Sequence, residues 1–242
     1  MPRANRYYTA GHVWHITHRC HQKHFLLKFA KDRRRWVHWL FQAKKRYGLS
    51  VLNYVVTSNH IHLLVFDTGN NEIPASLQLI SGRVAQEYNQ RKSRKGAYWE
   101  DRYHATAIDT DDHLSRCLLY IDMNMVRAGV VTHPADWRES GFTEILAPRE
   151  RYQIIDYCRL LSLLGFGSID DLVRARSGWI NDSGVPKRDL RWTEGIAAGR
   201  QDFVEQIKAE MGLLRRNRKV VQDDLGYLLK EEESEYLTPF LG

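Results

Sequence analysis

A chain of 242 residues, 43% apolar and 27% charged with only 6 Pro and 16 Gly, has the composition of a soluble globular protein, which excludes disordered, collagen-like and disulfide-stapled miniature classes. That length holds one large domain, or a domain of about 150 residues with an appendage. The formal charge is +7 and belongs to residues 1–147, where 21 basic side chains outnumber 13 acidic ones, while residues 148–242 carry 15 and 16.

Met1-Pro2-Arg3-Ala4-Asn5-Arg6 runs into Tyr7-Tyr8 without the apolar stretch that marks a secretory signal. Residues 12–18, His-Val-Trp-His-Ile-Thr-His, alternate with β-branched and aromatic side chains and read as a strand. Trp36, Trp39, Leu40, Ala43 and Tyr47 recur at three- and four-residue steps, which predicts a helix over 31–47 stopped by Gly48. Strands are expected over 50–57 and 60–66, joined through Ser58-Asn59 as a tight hairpin. A second helix over 74–90 and a strand over 102–108 follow. Thr110 or Asp111 then caps a helix whose apolar stripe is Leu114, Cys117, Leu118, Ile121 and Met125. The order β-α-β-β-α-β predicts an α+β fold, the ferredoxin-like split arrangement with an antiparallel sheet and helices on one face, ending near 147 at Ala147-Pro148-Arg149. Beyond that boundary 152–164, 169–180 and 193–213 favour helix. Residues 148–242 are therefore expected to form a helical appendage, an accessory DNA-binding or interaction module. No stretch approaches the roughly 20 apolar residues of a membrane span. Cys20, Cys117 and Cys158 lie far apart without C-x-x-C spacing, which points to a cytoplasmic setting and to no zinc site.

The basic surplus is clustered in Arg33-Arg34-Arg35, Lys44-Lys45-Arg46 and Arg91-Lys92-Ser93-Arg94-Lys95, among Trp36, Trp39, Tyr88, Tyr98 and Trp99. Cations interleaved with aromatic rings suit a polyanion whose bases stack, which is single-stranded nucleic acid. Taken one at a time, each cluster also reads as a solvated helix face. A second run, Arg215-Arg216-Asn217-Arg218-Lys219, precedes the acidic tail Glu231-Glu232-Glu233-Ser234-Glu235.

Two groups of residues carry chemistry. In His60-Ile61-His62 the two imidazoles project from one strand face while Ile61 enters the other, so both can converge on one ion. On spacing alone H-x-H is a weak signal, because a strand histidine is often only hydrogen-bonded structure. On the helix beginning near Asp111, Tyr120 and Asn124 are one turn apart, with Arg116 and Arg127 extending the same stripe. Asn offers a neutral oxygen to a hard divalent ion, and Tyr a phenol that becomes nucleophilic on losing its proton.

The phrase Tyr54-Val55-Val56-Thr57-Ser58-Asn59-His60-Ile61-His62-Leu63-Leu64 is followed by Tyr88-Asn89, Gly96-Ala97-Tyr98-Trp99-Glu100-Asp101-Arg102-Tyr103 and Leu119-Tyr120-Ile121-Asp122-Met123-Asn124-Met125-Val126-Arg127-Ala128-Gly129. Together with Arg6-Tyr7-Tyr8 and Trp14-His15-Ile16-Thr17, this ordered set over about residues 5–145 resembles the REP-associated tyrosine transposases, relatives of the single-tyrosine HUH transposases. The resemblance implies a metal-dependent endonuclease and strand transferase acting on single-stranded or hairpin DNA. In it His60, His62 and Asn124 hold a divalent ion, Mg²⁺ or better Mn²⁺, and Tyr120 forms a 5′-phosphotyrosyl intermediate. Met125 departs from the Pro usual in that family after the amide ligand. Candidate DNA contacts are Arg6, Tyr7 and Tyr8 near the foot of a hairpin, with Arg91, Lys92, Arg94, Lys95, Arg102, Arg116 and Arg127. A monomer and a homodimer are both compatible with this reading. Two alternatives stand beside it: a relaxase or rolling-circle initiator, and a noncatalytic nucleic-acid-binding protein.

Overall fold

A computed structural model of the chain describes residues 8–110, 112–184, 187–212 and 217–232. Arg6, Tyr7, the cap position Asp111, the helix end expected at Leu213, Arg215, Arg216 and the tail beyond Glu232 lie outside the described residues.

The first six elements follow the expected order: β1 (Val13–Arg19), α1 (Ala30–Tyr47), β2 (Ser50–Val56), β3 (His60–Phe66), α2 (Glu72–Arg91) and β4 (His104–Ile108). Gly48 ends α1 at φ 73°, a left-handed conformation that costs glycine little, and its N–H returns to the Lys44 carbonyl at 2.9 Å. The β2–β3 hairpin closes across Ser58-Asn59, with the Thr57 N–H bonded to the His60 carbonyl at 2.9 Å. Strand order β2-β3-β1-β4, antiparallel throughout, is the ferredoxin-like arrangement.

Strand alternation gives the sheet two different faces. Ile16, Ile61, Leu63 and Tyr54 point toward α1 and α2, where the Trp36 ring lies 6.4 Å from that of Tyr54. His15, Thr17, His62, Leu64 and Asn53 point the other way, toward α3 (Asp112–Asp122). Asn53 donates to the Asp122 carboxylate at 2.9 Å and so fixes the end of α3 to β2. The crossover helices thus share one face, and α3 adds a layer to the opposite one. After Met123 the chain resumes as the single turn α4 (Asn124–Arg127). Near-continuity is kept by the Met123 N–H to the Leu119 carbonyl at 2.9 Å and the Arg127 N–H to the Met123 carbonyl at 2.8 Å.

A short helix not expected from the sequence, α5 (Gly141–Leu146), precedes residue 147; beyond it the helices expected over 152–164 and 169–180 appear as α6 (Tyr157–Leu164) and α7 (Ile169–Ser183), and the one expected over 193–213 is divided into α8 (Arg191–Glu194) and α9 (Gln201–Glu210). The purely helical reading of this part is corrected by three strands: β5 (Ala197–Gly199), β6 (Arg218–Asp223) and β7 (Gly226–Glu231). They extend the sheet as β4-β5-β7-β6, with β5 parallel to β4. The reason is steric: a Cβ on Gly199 would stand 2.4 Å from the Asp109 Cβ, so only glycine allows this approach. Asp109, buried, then accepts the Arg200 N–H and its Nε, each at 3.0 Å. α7 is tied to the tyrosine-bearing helix by a buried ion pair in which Arg176 donates to Asp122. Among the described residues no helix is long and apolar enough to cross a membrane.

Candidate active site

The strand register brings the polar residues of three elements together. β1 pairs with β3 so that Thr17 faces His62 and Arg19 faces His60, and α3 and α4 cross the same sheet face. His60, His62, Tyr120 and Asn124 all line one cavity of about 700 Å³. The His60 and His62 ring centroids are 4.9 Å apart, and those of His62 and Tyr120 are 5.7 Å apart and nearly perpendicular. Tyr120 therefore meets the histidine pair within its own chain.

Each imidazole is held by a fixed partner. His60 Nδ1 lies 2.8 Å from the Asn59 amide oxygen and 2.9 Å from the Thr57 hydroxyl. An amide oxygen only accepts, so Nδ1 carries the proton and Nε2 keeps its lone pair. His62 is almost wholly buried; its Nε2 lies 2.9 Å from the Asn124 amide nitrogen and its Nδ1 2.9 Å from His15 Nε2. His15 Nδ1 in turn lies 2.8 Å from the Trp192 carbonyl.

Burial, reinforced by neighbouring cations, keeps these rings neutral. The His60 pKa falls to about 4, first through desolvation and then through Arg19, Arg127 and Arg188. His62 is held well below the ordinary imidazole value by desolvation, then by His60 and His15. Neutral imidazole is the form that ligates a metal. Among the described residues no group of three His, Cys, Asp or Glu side chains is placed to hold one. The side chain nearest the His62 lone pair is the Asn124 amide, whose nitrogen donates to it at 2.9 Å and whose oxygen is the donor it could offer to an ion. Two imidazoles and an amide oxygen fit a divalent ion tolerant of nitrogen, Mn²⁺ more than Mg²⁺.

Tyr120 is raised above the usual phenol value by burial, and Arg127 and Arg188 oppose that shift. The Arg127 guanidinium sits 4.1 Å from the centre of the Tyr120 ring. Arg19, Lys23, Arg102, Arg127 and Arg188 line the cavity together with the carboxylates Glu100, Asp101 and Glu194, so its cations outnumber its carboxylates five to three.

Of the other expected contacts, Arg102 and Arg127 reach this cavity, while Arg116 lines an adjoining one of about 500 Å³ that also borders Tyr120. The 91–95 run lies elsewhere. Arg91 pairs with Asp32, Lys92 approaches the Phe29 ring at 5.9 Å, and Arg94 donates to the Ala97 carbonyl at 2.7 Å; neither they nor Lys95 line the cavity. Tyr8 packs edge-on against Trp14, 4.9 Å between centroids, on the sheet face of α1 and α2. Sequence reasoning passed over Arg19, Arg188 and His15. The pairing of β1 with β3 carries a signal for Arg19 and His15, since one faces His60 and the other is the diagonal neighbour of His62. Arg188 carries none, because its place depends on how the segment between α7 and α8 returns to the site.

Residues 9–124 match the family model of IS200-like transposases. Among solved structures, a REP-associated tyrosine transposase bound to a REP hairpin is 22% identical over 61% of this chain and 87% of its own, with a TM-score of 0.51. A protein of Deinococcus radiodurans R1 solved as a candidate transposase is 16% identical over 53% of this chain and 97% of its own, with a TM-score of 0.36. No curated protein matches the sequence significantly.

Proposed function

We propose, from the match of residues 9–124 to the family model of IS200-like transposases, that the protein is a tyrosine-nucleophile endonuclease and strand transferase for single-stranded DNA beside a hairpin. The observation that carries this reading is the convergence of Tyr120, His60, His62 and Asn124 on one cation-lined cavity.

A phosphodiester enters with its charge facing Arg19, Arg102, Arg127 and Arg188. These side chains hold the scissile phosphate against the Tyr120 hydroxyl and offset the charge that accumulates during attack. The phenol oxygen bonds to phosphorus as its proton departs, and the bond from phosphorus to the 3′ oxygen breaks. That oxygen takes up a proton to leave as a 3′-hydroxyl, and the other strand end stays on Tyr120 as a 5′-phosphotyrosine. Attack by a different 3′-hydroxyl reverses the step and joins strands without an external energy source. A divalent ion held by His60, His62 and Asn124 supplies Lewis-acid polarisation of the phosphate when bound. Arg127 serves twice, stabilising phenolate character at Tyr120 and meeting the phosphate. Because Tyr120 abuts His62 of the same chain, cleavage proceeds in cis.

The test is incubation with Mn²⁺ and a hairpin oligonucleotide carrying single-stranded flanks, scored for a protein–DNA adduct on a denaturing gel. Wild-type protein should form the adduct, and Tyr120→Phe and His62→Ala should not. An adduct that survives Tyr120→Phe refutes the assignment. Hairpin binding by wild type with no adduct leaves a binding protein rather than an enzyme.

A further inference from the structure

Behind His62 lies a continuous hydrogen-bonded chain that reaches residue 192. The Trp192 carbonyl meets His15 Nδ1 at 2.8 Å, and His15 Nε2 meets His62 Nδ1 at 2.9 Å. His62 Nε2 faces Asn124 at 2.9 Å. The His15 and His62 rings are inclined by only 7°, with centroids 5.1 Å apart, and both side chains are buried. A carbonyl cannot donate, so the proton between it and His15 sits on Nδ1. In a buried neutral imidazole the other nitrogen is then an acceptor, so the proton between the rings sits on His62 Nδ1. The chain ends on the His62 Nε2 lone pair, which accepts from the Asn124 amide nitrogen at the edge of the cavity.

We propose that His15 is a positioning residue that locks His62 in the Nδ1–H tautomer and aims its Nε2 lone pair at the metal site, with the Trp192 carbonyl as the fixed end of the chain. This rests on the metal-site reading of the preceding subsection. The role reaches past residues 9–124, because α8, which carries Trp192, comes from the later part of the chain. Thr106 and His104 hold that segment from β4, through the Gly195 carbonyl at 2.6 and 2.8 Å. A ligating histidine whose second nitrogen is tied to a rigid acceptor binds its ion more tightly, typically by about 10–100-fold. Here a second imidazole relays that tie from a backbone carbonyl.

The test uses the full chain, Mn²⁺ alone as the probe, and calorimetric titration rather than turnover. Relative to wild type, His15→Phe keeps a planar ring but removes the acceptor, and Mn²⁺ affinity should fall about 10–100-fold. His15→Gln can both accept from His62 and donate to the Trp192 carbonyl, and it should recover most of that loss. Wild-type affinity in a folded His15→Phe, alongside lost binding in His62→Ala, overturns the role of His15 while leaving the metal site standing. Wild-type protein that takes up no Mn²⁺, or His62→Ala that binds as wild type does, overturns the metal reading and the positioning role with it. Nitrogen-15 spectra of the histidine rings in metal-free wild-type protein test the tautomer without any substitution. His15 and His62 should both report a proton on Nδ1, and an Nε2–H signal from His62 would rule the relay out.

Discussion

The two faces of the sheet are built from the same strands and do different work. Toward α1 and α2 the strands present Ile16, Tyr54, Ile61 and Leu63, and the helices answer with Trp36, Leu40, Leu77 and Ile80, all buried. Toward α3 the same strands present His15, Asn53 and His62, and the answering groups are Tyr120, Asp122, Asn124 and Arg176, equally removed from solvent. One face is held by non-directional apolar contact, which tolerates substitution if volume is kept. The other combines apolar packing at Leu64 with directional bonds between buried polar groups, each of which is costly to leave unpartnered. The cations divide as well: Arg19, Arg102, Arg127 and Arg188 border the cavity, whereas in the 91–95 run Arg91 is tied to Asp32 and Arg94 to Asn89 and Ala97.

Three comparisons should separate the faces, beginning with the largest effect. Arg176→Ala leaves the buried Asp122 carboxylate without its cation and should lower unfolding stability by about 3–5 kcal/mol in urea titration. Leu40→Ala on the other face should cost about 2–5 kcal/mol by cavity formation and leave Mn²⁺ affinity unchanged in the folded fraction. If Arg176→Ala proves neutral, the polar face is not what holds α3. Acid is the second probe. His15 and His60 have folded-state values depressed to about 3 and about 4, against about 6.5 in the unfolded chain. The unfolded state therefore binds more protons, and stability that is complete above about pH 6.5 is lost as pH falls toward 4. Each ring should contribute about 1.4 kcal/mol per pH unit inside that window. In metal-free protein the urea midpoint should accordingly drop between pH 7 and pH 5, with a shallower slope in His15→Phe. A midpoint flat over that range would contradict neutral, buried rings. The smallest effect compares two arginines at matched DNA concentration. Arg127→Ala should slow adduct formation by about tenfold, since it removes a group beside both nucleophile and phosphate. Arg94→Ala should change it less than about twofold, as expected of a side chain spent on the Ala97 carbonyl. Equal losses would mean that DNA also tracks along the α2 end.

Much of this was legible before any coordinates. The elements through residue 122, the separation of Ile61 from the His pair, and the one-turn spacing of Tyr120 and Asn124 are local periodicities of strand and helix. Charge clustering was a poorer guide: the densest run, 91–95, caps a helix and a turn, while the cavity gathers Arg19, Arg102, Arg127 and Arg188 one by one from distant segments. The C-terminal strands were missed for a related reason. Ala197-Ala198-Gly199 has no alternation to betray a strand, and its pairing depends on the room Gly199 leaves beside Asp109.

What the amino-acid order determined alone is which side chains share a face of their own element, because backbone geometry repeats every two residues in a strand and every 3.6 in a helix. Which faces meet was left to the tertiary structure. The diagonal approach of His15 to His62, the Trp192 carbonyl behind it and the reach of Arg188 into the cavity all arise from strand register and from backbone groups that no side-chain pattern encodes. A tautomer can be chosen by a carbonyl 177 positions away in the chain only once folding has made the two neighbours.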